Sequence, residues 1–291
     1  MFLKAFIGGI KKSLGNFRMT FMLYLLNVVF ILMIVGPLYT VFTHTLGDSL
    51  DLEAFRKGFD NTVWGDLMNV HGDAFAYLMD QAIIVFVLYW LLNLFLNGGI
   101  IMTTYMTGGF SSQLFWSSCS HFCFRFVRLS LLCILLHLIV AGAIYGTYYG
   151  IVQNWIEGTG DERILVRSAY AFVALHAFVG SILLAIADYA RIRLVQADDK
   201  WVLKSYWKGF VFFLRYMFPA YLLYILFLSL FVGLTVAYYF TRTSIVIEGW
   251  GVLIPVIIVQ QLITFFRIFF RVAKFGGLNE LYAQKLQTVA S

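Results

Sequence analysis

Asp188, Arg191 and Arg193 put three charges within six residues at the end of a run that is otherwise apolar. Asp188 and Arg191 are three apart, so on a helix they share a face and can pair. An ionisable group inside such a run is costly and often marks the path of a proton or substrate. That role requires Asp188 to face a water-filled cavity. The plainer reading is preferred: a neutralised pair at a membrane boundary, with the arginines reaching back to water. Arg215 is expected one turn into the next apolar run. It is a candidate second partner for Asp188, stapling two spans together, or a residue that reaches for lipid phosphate.

The remaining polar groups make weaker cases for chemistry. Cys119, His121 and Cys123 offer three ligand types close together. On a helix, however, the two thiols share a face and the imidazole points away, so buried inert thiols are expected rather than a zinc site. His137 and His176 fall inside apolar runs, where single histidines most often donate hydrogen bonds between helices. Asn93, Asn97, Gln260 and Gln261 are expected to find partners on other helices in the same way. The chain carries no phosphate-binding glycine loop, no His-Glu-x-x-His, no nucleophile elbow and no dinucleotide fingerprint. An enzyme is therefore not expected, and no metal or cofactor is assigned.

What must position these groups follows from composition. The 291 residues are 61% hydrophobic and only 12% charged, about half the charge of a soluble domain. Such a chain needs lipid as its main solvent. Six apolar runs, near 19–42, 81–106, 126–152, 168–194, 210–240 and 250–273, are each long enough to cross a bilayer. Backbone in lipid must satisfy its own hydrogen bonds, and no barrel-type alternation is present, so the spans are helices. The expected fold is an all-α polytopic membrane protein with six transmembrane helices in a single domain, 1–291. The first apolar run is too long for a signal-peptide core and is expected to be retained.

Charge sets the expected orientation. With the N-terminus on the cytoplasmic side, sixteen of the 21 lysines and arginines fall inside, as the positive-inside rule requires. Both termini are then cytoplasmic. The acids gather outside, above all in the loop 43–80, which holds Asp48, Asp51, Glu53, Asp60, Asp66, Asp73 and Asp80. Leu52, Phe55, Phe59, Val63 and Leu67 recur there at helical spacing, so part of that loop is expected to lie as a helix on the outer surface. Two shorter outer loops are expected near 154–167 and 241–250. No basic run stands in a soluble region, which argues against nucleic acid.

Three inner segments resemble one another: 1–18, 111–128 and 198–215. Each is amphipathic and each closes near an arginine (Arg18, Arg125, Arg215). The tail after Arg267 repeats the pattern, with Leu278, Leu281, Tyr282 and Leu286 on one face. The simplest architecture is three helical hairpins of like orientation, each entered through an interfacial helix, related by an axis near the membrane normal. In the third connector Lys200, Lys204 and Lys208 form one stripe, and Asp198 or Asp199 is placed to cap the helix start. Gly142, Gly146 and Gly150 make a small face suited to close helix packing, most simply within the chain. Gly98-Gly99 and Gly108-Gly109 mark a close approach and a helix end.

The segment Lys11-Lys12-Ser13-Leu14-Gly15-Asn16-Phe17-Arg18 before the first span and Asp188-Tyr189-Ala190-Arg191-Ile192-Arg193 closing the fourth give the chain a layout that resembles several uncharacterised bacterial families of six-span membrane proteins. The resemblance implies no activity. The function expected is that of a non-enzymatic integral membrane protein of a bacterial inner membrane, an accessory or scaffold subunit or a lipid-interacting protein. Its expected partners are anionic headgroups and other membrane subunits. The alternative is a transporter or permease subunit with cytoplasmic coupling helices.

Overall fold

The computed structural model describes residues 2–46, 61–106, 108–159, 162–243 and 250–290. These residues form eight helices and no strand: α1 Phe2–Gly15, α2 Phe17–Leu46, α3 Asn61–Tyr105, α4 Ser112–Thr159, α5 Glu162–Gln196, α6 Val202–Arg215, α7 Met217–Thr243 and α8 Trp250–Ala290. Six of them, α2, α3, α4, α5, α7 and α8, are long and apolar enough to cross a membrane. The protein is an all-α polytopic membrane protein. Large apolar side chains stand exposed along the spans, among them Leu32, Ile84, Phe86, Leu138, Phe178 and Ile258. A surface this apolar over so many turns is one that lipid covers.

The helices run further than hydropathy alone marks. α3 begins at Asn61 and passes through a non-helical residue, His71 (φ −122°, ψ 21°), before the expected second span. Within the expected outer helix, Leu67 is buried on α3, whereas Asp48, Asp51, Leu52, Glu53, Phe55, Arg56, Lys57, Phe59 and Asp60 lie outside the described residues. Most of the loop expected at 154–167 is helix, because α4 continues to Thr159 and α5 starts at Glu162. The second connector is not a separate helix: α4 carries it unbroken into the third span.

The first and third connectors are built alike. α1 and α6 each have 14 residues, and one residue, Asn16 or Tyr216, separates each from the span that follows. The i→i−4 ladder survives both bends. Asn16 N–H donates to Lys12 O at 3.1 Å and Thr20 N–H to Asn16 O at 3.1 Å; Tyr216 N–H donates to Phe212 O and Ala220 N–H to Tyr216 O, both at 3.0 Å. A chain entering lipid can turn there without leaving a backbone group unpaired. Pro219 falls in the first turn of α7, where a missing N–H costs nothing.

The chain divides into two compact units. The first comprises Met1–Lys11, Leu94–Leu226 and Lys274–Ser291; the second comprises Lys12–Asn93 and Phe227–Ala273. The first unit holds most of the fully buried side chains, including Phe115, Phe126, Leu129, Tyr189, Ile192, Phe213 and Leu278. The second has a smaller buried set around Met19, Leu23, Ile268 and Val272.

Candidate functional site

The first unit is built around one carboxylate. Asp188 lies near the end of α5 with its side chain 3% exposed. Arg191 Nη1 donates to its Oδ1 at 2.5 Å and Lys274 Nζ, from α8, donates to its Oδ2 at 2.6 Å. Both oxygens are engaged by cations, which is what keeps an ionised acid tolerable away from water. The Lys274 ammonium also lies over the rings of Tyr224, 5.3 Å, and Phe275, 4.9 Å. Beside the acid, Tyr189 is fully buried and its hydroxyl donates to Ala220 O at 3.4 Å. Close packing of α6 makes this burial possible. A Cβ at Gly209 would stand 2.9 Å from Ala190 N, so only glycine lets the two backbones approach this far.

The end of α8 meets α1, α3, α5 and α6 within this unit. Asn279 Nδ2 donates to Ile101 O at 3.0 Å and to Thr104 Oγ1 at 2.9 Å, while its Oδ1 accepts from Gln196 Nε2 at 3.1 Å. The ring of Tyr282 packs 4.6 Å from Phe212, and Lys285 Nζ lies 4.8 Å from the Tyr216 ring. Gly8 of α1 faces Glu280, whose carboxylate fills the place a Cβ would take. Leu278, Leu281 and Tyr282 are buried together, so the apolar face expected on the tail is a packing face inside the protein.

The loop between α5 and α6 is tied to α4. Asp198 takes the left-handed conformation, φ +46°, which aspartate tolerates better than most residues. Its Oδ1 accepts from Arg125 Nη1 at 2.6 Å and meets His121 Nε2 at 2.9 Å. Arg125 Nη1 also donates to Asp199 O at 3.2 Å. The hydrogen bonds from His121 and Arg125 hold the Asp198 carboxyl below the ordinary carboxylate range. Neither acid caps α6: its cap residue is Trp201, without a side-chain bond. Asp199 instead lies 3.4 Å from Arg193 Nε and accepts from Ser205 Oγ at 3.4 Å.

α6 has three faces, each roughly a third of the circumference at about 3.6 residues per turn. Val202, Ser205, Gly209, Phe212 and Phe213 are buried against the protein. Leu203, Trp207 and Leu214 form an exposed apolar stripe, with Leu203 67% and Trp207 64% exposed. Lys204, Lys208 and Arg215 form an exposed basic stripe that Lys200 leads into. Burial pushes the Tyr206 phenol up to about 12, so it stays neutral at the edge of the packed face.

Several expectations change at this site. Arg215 is not the second partner of Asp188. The helix break at Tyr216 makes it the last residue of α6, exposed and 5.7 Å from the Tyr216 ring; Lys274 takes its place. Gly142, Gly146 and Gly150 pack against no other helix among the described residues, since no described atom comes within 4 Å of a Cβ at any of them. Close approaches occur instead at Gly98, where a Cβ would stand 2.7 Å from Ser118 O, and at Gly99, where it would stand 2.6 Å from the Phe115 ring. Gly109, φ +77°, follows the end of α3. His137 Nδ1–H donates to Cys133 O, 2.8 Å away on its own helix, and among the described residues makes no hydrogen bond across helices. The His176 ring lies 5.4 Å from Tyr145 and its Nδ1 is buried without a partner among the described residues. Cys119 and Cys133 are buried and Cys123 is partly so. In the second unit Asn93 accepts from Arg271, and Gln261 accepts from Tyr24 at 2.9 Å. Lys274 and Asn279 carry the site and were not singled out by the sequence; the only sequence signal for them is a polar residue on the otherwise apolar face of an amphipathic tail. Searches against protein-family models, curated proteins and solved structures return no match for this chain.

Proposed function

We propose that the protein is a non-enzymatic lipid-interacting scaffold of a bacterial inner membrane, with both termini cytoplasmic, that holds anionic lipid along α6. The observation that carries this reading is the three-faced helix. One face is fixed to the protein, the apolar stripe of Leu203, Trp207 and Leu214 suits the acyl boundary, and the adjacent lysines suit the headgroups. Each basic residue near an anionic surface contributes about 1 kcal/mol, so Lys200, Lys204 and Lys208 together supply about 3 kcal/mol of preference. None of the three has an ion-pair partner among the described residues.

The test is quenching of Trp201 and Trp207 emission in proteoliposomes by brominated lipid, taken as the difference from a Trp201→Phe, Trp207→Phe variant. Brominated phosphatidylglycerol is expected to quench more strongly than brominated phosphatidylcholine at equal mole fraction. Lys200→Glu, Lys204→Glu, Lys208→Glu together should erase the difference. Equal quenching by both lipids in the unaltered protein would reject the reading.

A transporter subunit would need a polar cavity reaching the middle of the spans. The two cavities described, about 260 and 480 Å³, are lined by apolar groups such as Val252, Pro255 and Val256 in one and Leu38, Phe42 and Phe75 in the other. Neither is lined by Asn97, His137, His176 or Asp188.

A further inference from the structure

The cluster at Asp188 does not balance its own charge. One carboxylate serves two cations, Arg191 and Lys274, and these are its ion-pair partners among the described residues. One positive charge is left over beside a side chain that is 3% exposed. Surplus charge in such a place draws in a counter-charge, because water is too scarce to solvate it.

Donor capacity points the same way. Arginine and lysine bring eight N–H donors and no acceptor, and Asp188 engages one nitrogen of each. Arg191 Nε is buried without a hydrogen-bond acceptor among the described residues. The aromatic rings beneath Lys274 steady its ammonium and do not neutralise it. The two cations keep an opening that the acid lacks: the Arg191 side chain is 14% exposed and that of Lys274 23%. Both stand where the apolar runs of α5 and α8 give way to charge, the level at which a bilayer presents its phosphates. A guanidinium fork beside an ammonium fits the oxygens of a phosphate group.

The geometry points to a discrete phosphate-binding site at Arg191 and Lys274, occupied by the phosphate of a lipid headgroup or by free inorganic phosphate. Asp188 is its positioning residue, holding the two cations side by side. The site uses none of the α6 lysines and does not rest on the reading given to them.

The experiment labels the full-length protein in uncharged detergent with an amine-acylating reagent and follows Lys274 by mass spectrometry. Probes are inorganic phosphate, short-chain phosphatidylglycerol, and sodium chloride at matched ionic strength. Labelling of Lys274 is expected to slow at least tenfold, saturably, with phosphatidylglycerol or phosphate but not with chloride. Protection by phosphate alone identifies the free ion as a sufficient occupant; protection by the lipid only identifies the headgroup. Lys274→Gln leaves Asp188 and Arg191 as a neutral pair, and should abolish the saturable rise in thermal midpoint that the protecting probe gives. Lys200→Glu, Lys204→Glu, Lys208→Glu should keep that rise. Equal protection by chloride, no protection by any probe, or a Lys274→Gln protein that keeps the shift would overturn the proposal. The labelling arm uses the unaltered chain, so it decides even where the variant does not fold.

Discussion

The two units solve the same problem with different materials. In the first, polar groups are buried in shared sets: one carboxylate between two cations, one asparagine bonded to three partners, one arginine holding a loop. In the second, contacts such as Ser13 Oγ to Phe269 O at 3.0 Å and Tyr24 to Gln261 share no side chain with one another, and they are set among tilted and edge-on rings such as Phe17, Tyr24 and Phe265. A shared set fails as a whole when one member is removed, because the others are left buried and unpaired. A single link fails alone. The first unit should therefore be brittle to polar substitution and the second tolerant of it.

Asp188→Ala should show the largest effect, since it strands two cations: a loss of about 3–5 kcal/mol in reversible unfolding in detergent. Pairing it with Lys274→Met should recover part of that loss. Recovery by Arg215→Ala instead would restore the partner that the helix break removes. Asn279→Ala comes next, at about 2–3 kcal/mol, because it leaves Thr104 and Gln196 without their buried partner. In the second unit Tyr24→Phe should cost about 1 kcal/mol or less; a loss as large as that of Asn279→Ala would erase the contrast.

Glycines sharpen the comparison inside one unit. Gly209→Ala should destabilise by about 1–3 kcal/mol, because the new methyl group meets the backbone of Ala190. Gly142→Ala, Gly146→Ala and Gly150→Ala meet open space and should each be neutral or stabilising by up to about 1 kcal/mol, from helix propensity. Thermal midpoints of the four single variants would check this ordering.

The smallest effect expected is from pH. The folded-state value of Asp198 lies below its unfolded value. Its contribution is thus present above the ordinary aspartate range and lost as pH falls through the lowered value. The group is 62% exposed, so solvent screens much of the gain. Hydrogen exchange at residues 197–201 should quicken, beyond the intrinsic change, on acidification in the unaltered protein. In Asp198→Asn that extra change should be absent.

The spans were legible because lipid imposes a composition that no other solvent does. The 14-residue connectors were legible from their charges and aromatic spacing. The residues that close the site were not. Hydropathy carries Arg215 into the fifth span, and nothing in the residues around Tyr216 announces the break that leaves it outside. Asp188 and Lys274 are 86 residues apart, and no local period links them. The glycine triplet shows the limit from the other side: spacing describes a face, but only a neighbouring helix makes it a contact, and among the described residues α4 has none there.

Because α8 closes the first unit, the order of synthesis matters. At about 5–20 residues per second, Lys274 leaves the ribosome roughly 4–17 s after Asp188. Through that interval the acid has Arg191 alone, and Ile101 and Thr104 wait longer still for Asn279. The nascent chain must therefore carry a carboxylate with one oxygen unpaired and open hydrogen-bond acceptors into the bilayer, which makes its last helix the step at which insertion becomes assembly.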